Sequence, residues 1–308
     1  MLFSILIPAF KQAFLKETII SILNQTYKDF ELIIVDDASP EPIKQIVEEF
    51  NDHRIRYYRN EVNCGAEHVV DNWNKCLGYA GGDYVICMGD DDKLEACCLE
   101  EYAKLIEKYP GLGVYHGQTE IIDEDSNFKR VTASRIEYES VYSLIWHRWN
   151  SRSQFIGDFL YDRKQLLAKG GFYYLPYAWG SDDITAVLMA ESHGIANTDQ
   201  TVFYYRENSW SISSTGGIRE KVEAIEKERK WYLDFLKDGM TLSDSDKKYY
   251  VSILNCMSSF YQKKIAYQLA LDMKSNRLKQ TIFWMTHFRK YKLSFPIVVF
   301  AFFYSYKV

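Results

Sequence analysis

Several things are missing from this chain of 308 residues, and each absence excludes something. There is no run of about 20 apolar residues, so no transmembrane helix is expected. Met1 leads straight into "LFSILIPAF", which is too short and too strand-like for a signal peptide. The six cysteines (Cys64, Cys76, Cys87, Cys97, Cys98 and Cys256) form no Cys-x-x-Cys pair, which disfavours a zinc site. Cys97 and Cys98 are adjacent and cannot both join a simple disulfide framework, so reduced thiols in a cytosolic protein are expected. Net charge is −5 with no large basic block, which argues against nucleic-acid binding. No GxxxxGK[ST] loop exists, and the first apolar run is not followed by GxGxxG, so a P-loop NTPase and a Rossmann dehydrogenase are disfavoured. The sequence shows no internal repeat and no low-complexity segment.

Charged residues make up 26% and hydrophobic residues 47%, an ordinary globular balance with enough apolar material for a full core. Aromatic residues reach 16%, 24 of them Tyr; a thick aromatic core is the plain reading, and a sugar-binding surface the alternative. The first hundred residues alternate strand and helix. "FSILIPAF" (Phe3–Phe10), "ELIIVDDAS" (Glu31–Ser39), "RIRYYRN" (Arg54–Asn60) and "DYVICMG" (Asp83–Gly89) read as strands. Helices fall at Leu15–Gln25, from Pro42 to about Phe50, and at Ala66–Ala80. This order predicts an α/β fold around a parallel sheet with right-handed crossovers. Further strands are expected in Gly113–Ile122, Gln154–Tyr161 and Thr201–Arg206, and a helix after Leu175, with helical pattern from Arg219 onward.

In such sheets ligands bind beyond the carboxyl ends of the strands. Pro8, Ala9 and Phe10 end the first strand, Asp36 and Asp37 the second, and Asp90, Asp91 and Asp92 the fourth, so the acids are expected on one rim. Adjacent carboxylates repel one another. A hard cation such as Mg²⁺ or Mn²⁺ relieves that repulsion, and a diphosphate completes its coordination shell. Asp182 and Asp183 form a second acidic pair at a helix start. One reading makes Asp182 an N-cap; the other gives the pair a proton to accept from a hydroxyl.

At this point the sequence resembles a family 2 glycosyltransferase of GT-A fold, over roughly residues 1–215. The resemblance is carried by "SILIPAFKQAFLKETIISILNQTYKDFELIIVDDAS", "NWNKCLGYAGGDYVICMGDDD", "WGSDDI" and the closing "YRENSWSIS", in that order. It implies a Rossmann-like mixed sheet flanked by helices, a nucleotide-sugar donor with UDP favoured, a Mn²⁺ or Mg²⁺ cofactor, and transfer with inversion. It implies a nucleotide-binding half at 1–110 and an acceptor half at 111–215; residues 216–308 carry no family signal and read from their pattern as a helical extension. Residue by residue, Pro8, Ala9 and Phe10 would line the nucleoside pocket, and Asp36 and Asp37 would contact base or ribose. Asp91, with Asp90 near it, would hold metal and diphosphate. Asp183 would be the general base with Asp182 as its understudy, and Trp179 would stack on an acceptor sugar. Two departures stand out: the first Asp of the family's Asp-x-Asp motif falls on Gly89, and Asn208 stands where a His often follows Tyr-Arg-x.

The expected activity is sugar transfer to a glycan or lipid-linked acceptor in a bacterial-type surface polysaccharide. The competing classes are a non-catalytic nucleotide-sugar-binding protein, which the two departures favour, and a nucleotidyltransferase, which would need a glycine-rich phosphate loop that "PAFKQAF" lacks. The apolar tail Ser294–Tyr304 follows the basic cluster His287–Lys292. It reads either as an element docked on the core or as a peripheral contact with the inner membrane of an otherwise cytoplasmic protein.

Overall fold

The structure, a computed structural model, describes residues 1–208, 217–237 and 242–308. The first half contains β1 (Phe3–Ala9), α1 (Leu15–Leu23), β2 (Phe30–Asp36), α2 (Ile43–Glu48), β3 (Ile55–Arg59), α3 (Val69–Tyr79), β4 (Tyr84–Cys87), β5 (Lys93–Leu94) and α4 (Cys98–Lys108). Then follow β6 (Val114–Ile122), β7 (Phe128–Val131), β8 (Tyr138–Glu139), α5 (Val141–Trp149), β9 (Phe159–Asp162), α6 (Arg163–Ala168), α7 (Ser181–Ala190) and β10 (Ile195–Arg206). The C-terminal helices are α8 (Ile218–Phe235), α9 (Asp244–Ser275), α10 (Arg277–His287) and α11 (Phe295–Tyr304). The last residues of the "YRENSWSIS" segment, 209–213, lie outside the described residues.

The main sheet runs β3-β2-β1-β4-β9-β6-β10-β5. β1 to β4 are mutually parallel, while β9 lies antiparallel to both β4 and β6, which makes the sheet mixed. The continuous apolar runs are explained by cover on both faces. Phe3, Ile5, Ile7, Leu32, Ile34 and Ile86 pack toward α1, α2 and α4. Their neighbours Leu6, Ile33, Val35, Val85 and Cys87 enter the second core, with α3, α5, α7 and the C-terminal helices. That period of two is the strand pleat. The C-terminal helices therefore share a core with the sheet: Val222 of α8 and Ile253, Tyr261 and Leu269 of α9 are buried in it.

Sequence reading missed the short strands β5, β7 and β8, and β10 begins at Ile195, earlier than its apolar run suggests. The Gln154–Tyr161 stretch is a single 3-10 turn at Ile156–Asp158 followed by β9. α7 is not capped by Asp182: its N-cap is Gly180 at φ +99°, with no side-chain cap.

Where β6 and β10 pair, close approach depends on Gly117, since a Cβ there would lie 2.0 Å from Val202 Cγ2. Gly117→Ala is expected to destabilise the fold by about 1–3 kcal/mol through overpacking. Combining it with Val202→Ala should cost less than the sum of the two single changes, a non-additivity that denaturant titration of the mutant cycle measures.

Candidate active site

The three aspartates after β4 do not behave alike. Asp90 turns back into the fold, where its Oδ2 accepts N–H bonds from Phe10 and Lys11, each 2.7 Å long. Burial, then the neighbouring Asp91, pushes its carboxyl up to about 7. Asp92 turns the other way, and its Oδ1 accepts the backbone N–H of Arg206 at 2.9 Å. Burial, then Asp91, also holds Asp92 well above the usual carboxylate range. Thr18 of α1 donates to the backbone carbonyls of both Asp90 and Asp92, at 3.1 and 2.7 Å. Asp91 alone of the three is not buried, and its Oδ2 accepts from Asn208 Nδ2 at 2.6 Å.

The two departures from the family pattern meet at this carboxylate. A Cβ on Gly89 would lie 2.6 Å from Asp91 Oδ1 and 3.0 Å from Asp92 Oδ2, so the glycine makes room for both groups. Asn208, in the usual His position, holds the other oxygen of Asp91. The segment is locked by Arg206, which is 1% exposed. Its guanidinium donates to the carbonyls of Asp91 and Glu124, pairs with Glu17 at 2.9 Å and lies 4.2 Å from the Phe14 ring centroid.

The ends of β1 and β2 form the neighbouring part of the rim. Pro8 is half-buried, Ala9 buried and Phe10 exposed. Asp36 is fully buried: it accepts from Ser39 N–H and Tyr57 O–H and pairs with Arg59. Asp37 accepts from the backbone N–H of Cys64 and from Asn60 Nδ2. Asp36 thus builds the floor, and Asp37 fixes the loop after β3.

That loop leads to the second acidic pair. His68 Nδ1 lies 3.0 Å from Tyr174 Oη, which ties it to the aromatic stretch before α7. Trp179 is half-buried there, with Lys221 Nζ of α8 4.7 Å from its ring centroid. Asp183 is buried, and its Oδ1 accepts from Arg148 Nε and Gln154 Nε2, both at 2.7 Å. Burial opposes its charge, but Arg148 and Lys264 outweigh burial and hold it below the usual range. Asp182 goes the opposite way: burial, then the charge of Asp183, pushes it up to about 7. Beneath them lies an ion pair from the C-terminal helices, Glu228 of α8 with Lys264 of α9 at 2.6 Å. The Glu228 carboxylate packs on Gly180, 3.0 Å from where a Cβ would stand. Arg148, Gln154, Glu228 and Lys264 escaped sequence reading. Each sits in an ordinary helix or loop pattern and meets the acids only in the fold.

Among the described residues no cluster of His, Cys, Asp or Glu is arranged to hold an ion alone. The donor set fits Mg²⁺ or Mn²⁺ in the manner of a substrate-completed site, with Asp91 as the protein carboxylate and a diphosphate supplying further oxygens.

The end of β4 thus leaves Asp91 outward between two buried acids, and the start of α7 holds Asp183 against Arg148 and Gln154. The model of glycosyl transferase family 2 matches residues 4–172, more than half of the chain, which belongs to this family. Over 142 residues the sequence is 32% identical to WfgD of Escherichia coli, a UDP-Glc:α-D-GlcNAc-diphosphoundecaprenol β-1,3-glucosyltransferase, covering 46% of this chain and 54% of that protein. The chain spans about a fifth to a half of the length of the curated relatives it matches. TarS 1–349 of S. aureus in complex with UDP-GlcNAc superposes with a TM-score of 0.68 at 16% identity, covering 100% of this chain and 91% of that one. Mannosyltransferase PcManGT of Pyrobaculum calidifontis, solved with GDP-Man and Mn²⁺, gives 0.58 at 15% identity, covering 99% and 86%. Both likenesses establish the GT-A fold.

Gly89→Asp would restore the Asp-x-Asp pattern. It is expected to destabilise the protein by about 1–3 kcal/mol without strengthening Mn²⁺-dependent nucleotide binding, because the new side chain displaces Asp91 and Asp92. Thermal unfolding and calorimetry read the two effects. Arg148→Met leaves burial and Asp182 to act on Asp183 unopposed by the guanidinium. The acid limb of the kcat/KM–pH profile should then move up by about one to three units.

Proposed function

We propose that this glycosyltransferase moves a sugar from a nucleoside-diphosphate sugar, with UDP favoured, to a hydroxyl of a lipid-linked glycan, with inversion at the anomeric carbon, in bacterial surface polysaccharide synthesis. The observation that carries this reading is the state of Asp183. A carboxylate 4% exposed is held ionised by Arg148 and Gln154. Both bonds fall on Oδ1, so among the described residues Oδ2 is left to accept a proton from a hydroxyl. A buried carboxyl with no cationic partner is normally pushed up, and the adjacent Asp182 is pushed up to about 7.

In this reading Asp183 takes the acceptor O–H proton as the oxygen attacks the anomeric carbon. The bond from that carbon to the diphosphate oxygen breaks on the opposite face, and the nucleoside diphosphate leaves with the electron pair. Asp182, pushed up to about 7 by burial and by the charge of Asp183, is the understudy beside it. Pro8, Ala9, Phe10 and Asp37 border the nucleoside, and Asp90 fixes their loop through the Phe10 and Lys11 N–H groups. Asp91 is the residue that would hold Mg²⁺ or Mn²⁺; the bound ion neutralises charge on the departing diphosphate. Trp179 offers a ring face to the acceptor sugar. Residues 1–110 take the donor, 111–215 the acceptor, and 216–308 support the base. The relative WfgD, named for a UDP-Glc donor and a diphosphoundecaprenol acceptor, supports both substrate classes.

Calorimetric titration of UDP, GDP, dTDP and CMP with and without Mn²⁺ tests the donor side. UDP is expected to bind in a Mn²⁺-dependent way, weakened tenfold or more in Asp91→Asn. Asp183→Asn should keep that binding and lose at least about a hundredfold in transfer rate. Equal binding by Asp91→Asn, or unimpaired transfer by Asp183→Asn, would remove the assigned roles.

A further inference from the structure

The C-terminal helices α10 and α11 leave an apolar face uncovered. They run antiparallel: Arg277 at the start of α10 stacks on Tyr306 just past the end of α11, 4.2 Å from its ring, while Phe288 meets Phe295 at the other end. Their inner sides are firmly held. Trp284 is fully buried and donates to Asp272 of α9 at 2.7 Å, and Ile297, Val298 and Ala301 pack into the core. Their outer sides carry Leu278, Ile282 and Met285 on α10 and Phe295, Phe300 and Phe303 on α11, from 37% to 75% exposed. Leu278, Ile282 and Met285 recur at i, i+4 and i+7, one helical stripe. α11 contains no charged residue at all. A helix apolar on every side is normally enclosed.

Charge says what encloses it. From Met273 to Val308 the chain has seven Lys and Arg and no Asp or Glu. All seven are exposed, and Arg289, Lys290 and Lys292 cluster at the turn between the two helices. In a protein of net charge −5 this is a segregated basic segment. Basic groups flanking exposed phenyl rings match a surface with anions at its boundary and hydrocarbon behind them, which is an anionic lipid leaflet. An anionic partner with a polar surface would neutralise the basic groups but leave the rings in water. No helix is long and apolar enough to cross a membrane among the described residues, so the fit is to the interface.

We propose that the α10–α11 hairpin docks the enzyme on an anionic lipid surface, with the Phe295, Phe300 and Phe303 side chains in the acyl boundary and Arg289, Lys290 and Lys292 among the headgroups. The proposal builds on the reading of a lipid-linked acceptor, because it brings the acceptor side to the leaflet. Arg219, two residues into α8, lies 3.9 Å from the Phe283 ring of α10, and the Tyr177 ring crowds the position of a Cβ on Gly217. Along α9, Lys264 and Asp272 are eight residues apart, roughly 12 Å of helix. The hairpin is thus tied directly to the elements under Trp179 and Asp183.

Co-sedimentation of the full chain with phosphatidylglycerol-rich and with phosphatidylcholine vesicles tests this. Wild type should bind the anionic vesicles at least tenfold more tightly, and the preference should shrink with added salt. Arg289→Gln/Lys290→Gln should weaken anionic binding by about fivefold per charge removed. Phe300→Ser/Phe303→Ser should weaken it by at least tenfold while leaving the UDP calorimetry unchanged. No binding by wild type, or binding insensitive to salt and to both variants, would overturn the proposal. So would a concentration-dependent dimer that Phe300→Ser/Phe303→Ser dissociates, since a second copy would then cover the face. Loss of UDP binding in wild type would instead count against the transferase site and leave the hairpin result to stand alone.

Discussion

Three consecutive carboxylates at a strand end repel one another unless the fold separates them, and the active-site rim is organised around that separation. Asp90 is drawn inward by the Phe10 and Lys11 N–H groups and Asp92 by that of Arg206. Each inward turn ties a different element to the β4 end, the loop after β1 in one case and the end of β10 in the other. Arg206 completes the lock through its reach to Glu17 and the Glu124 carbonyl. Asp91 is then the carboxylate left facing outward. Gly89 follows from the same constraint, because a Cβ would intrude on the two carboxylates that must pass beside it.

The second acidic pair uses charge differently. Asp182 and Asp183 are adjacent, yet burial and the charge of its neighbour push Asp182 up to about 7, while Arg148 and Lys264 hold Asp183 below the usual range. The support under this pair comes from beyond the residues that match the family, since Glu228 and Lys264 belong to the C-terminal helices. Those helices share a core with the sheet and act on Asp183 through Lys264.

Much of this was legible in the sequence. The strand order of the first hundred residues follows from continuous apolar runs such as Phe3–Phe10, and the parallel arrangement places the aspartates at strand ends. The direction in which each carboxylate turns was not legible. It depends on backbone N–H groups about 80 residues from Asp90 and 114 from Asp92, and on a missing Cβ at Gly89. Arg148 and Gln154 were equally hidden, because the less regular middle third does not announce α5, and nothing local connects either residue to residue 183. The short strands β5, β7 and β8 escaped because they are two to four residues long and take their form from pairing with β6 and β10.

The division of labour among Asp90, Asp91 and Asp92 is the claim on which the donor site rests. Anomalous diffraction at the manganese edge, from crystals grown with UDP and Mn²⁺, tests it most directly. The account predicts one peak coordinated by the Asp91 carboxylate and the diphosphate, with Asp90 still accepting the Phe10 and Lys11 N–H bonds. A peak ligated by Asp90 or Asp92, or bound UDP with no peak beside Asp91, would contradict it.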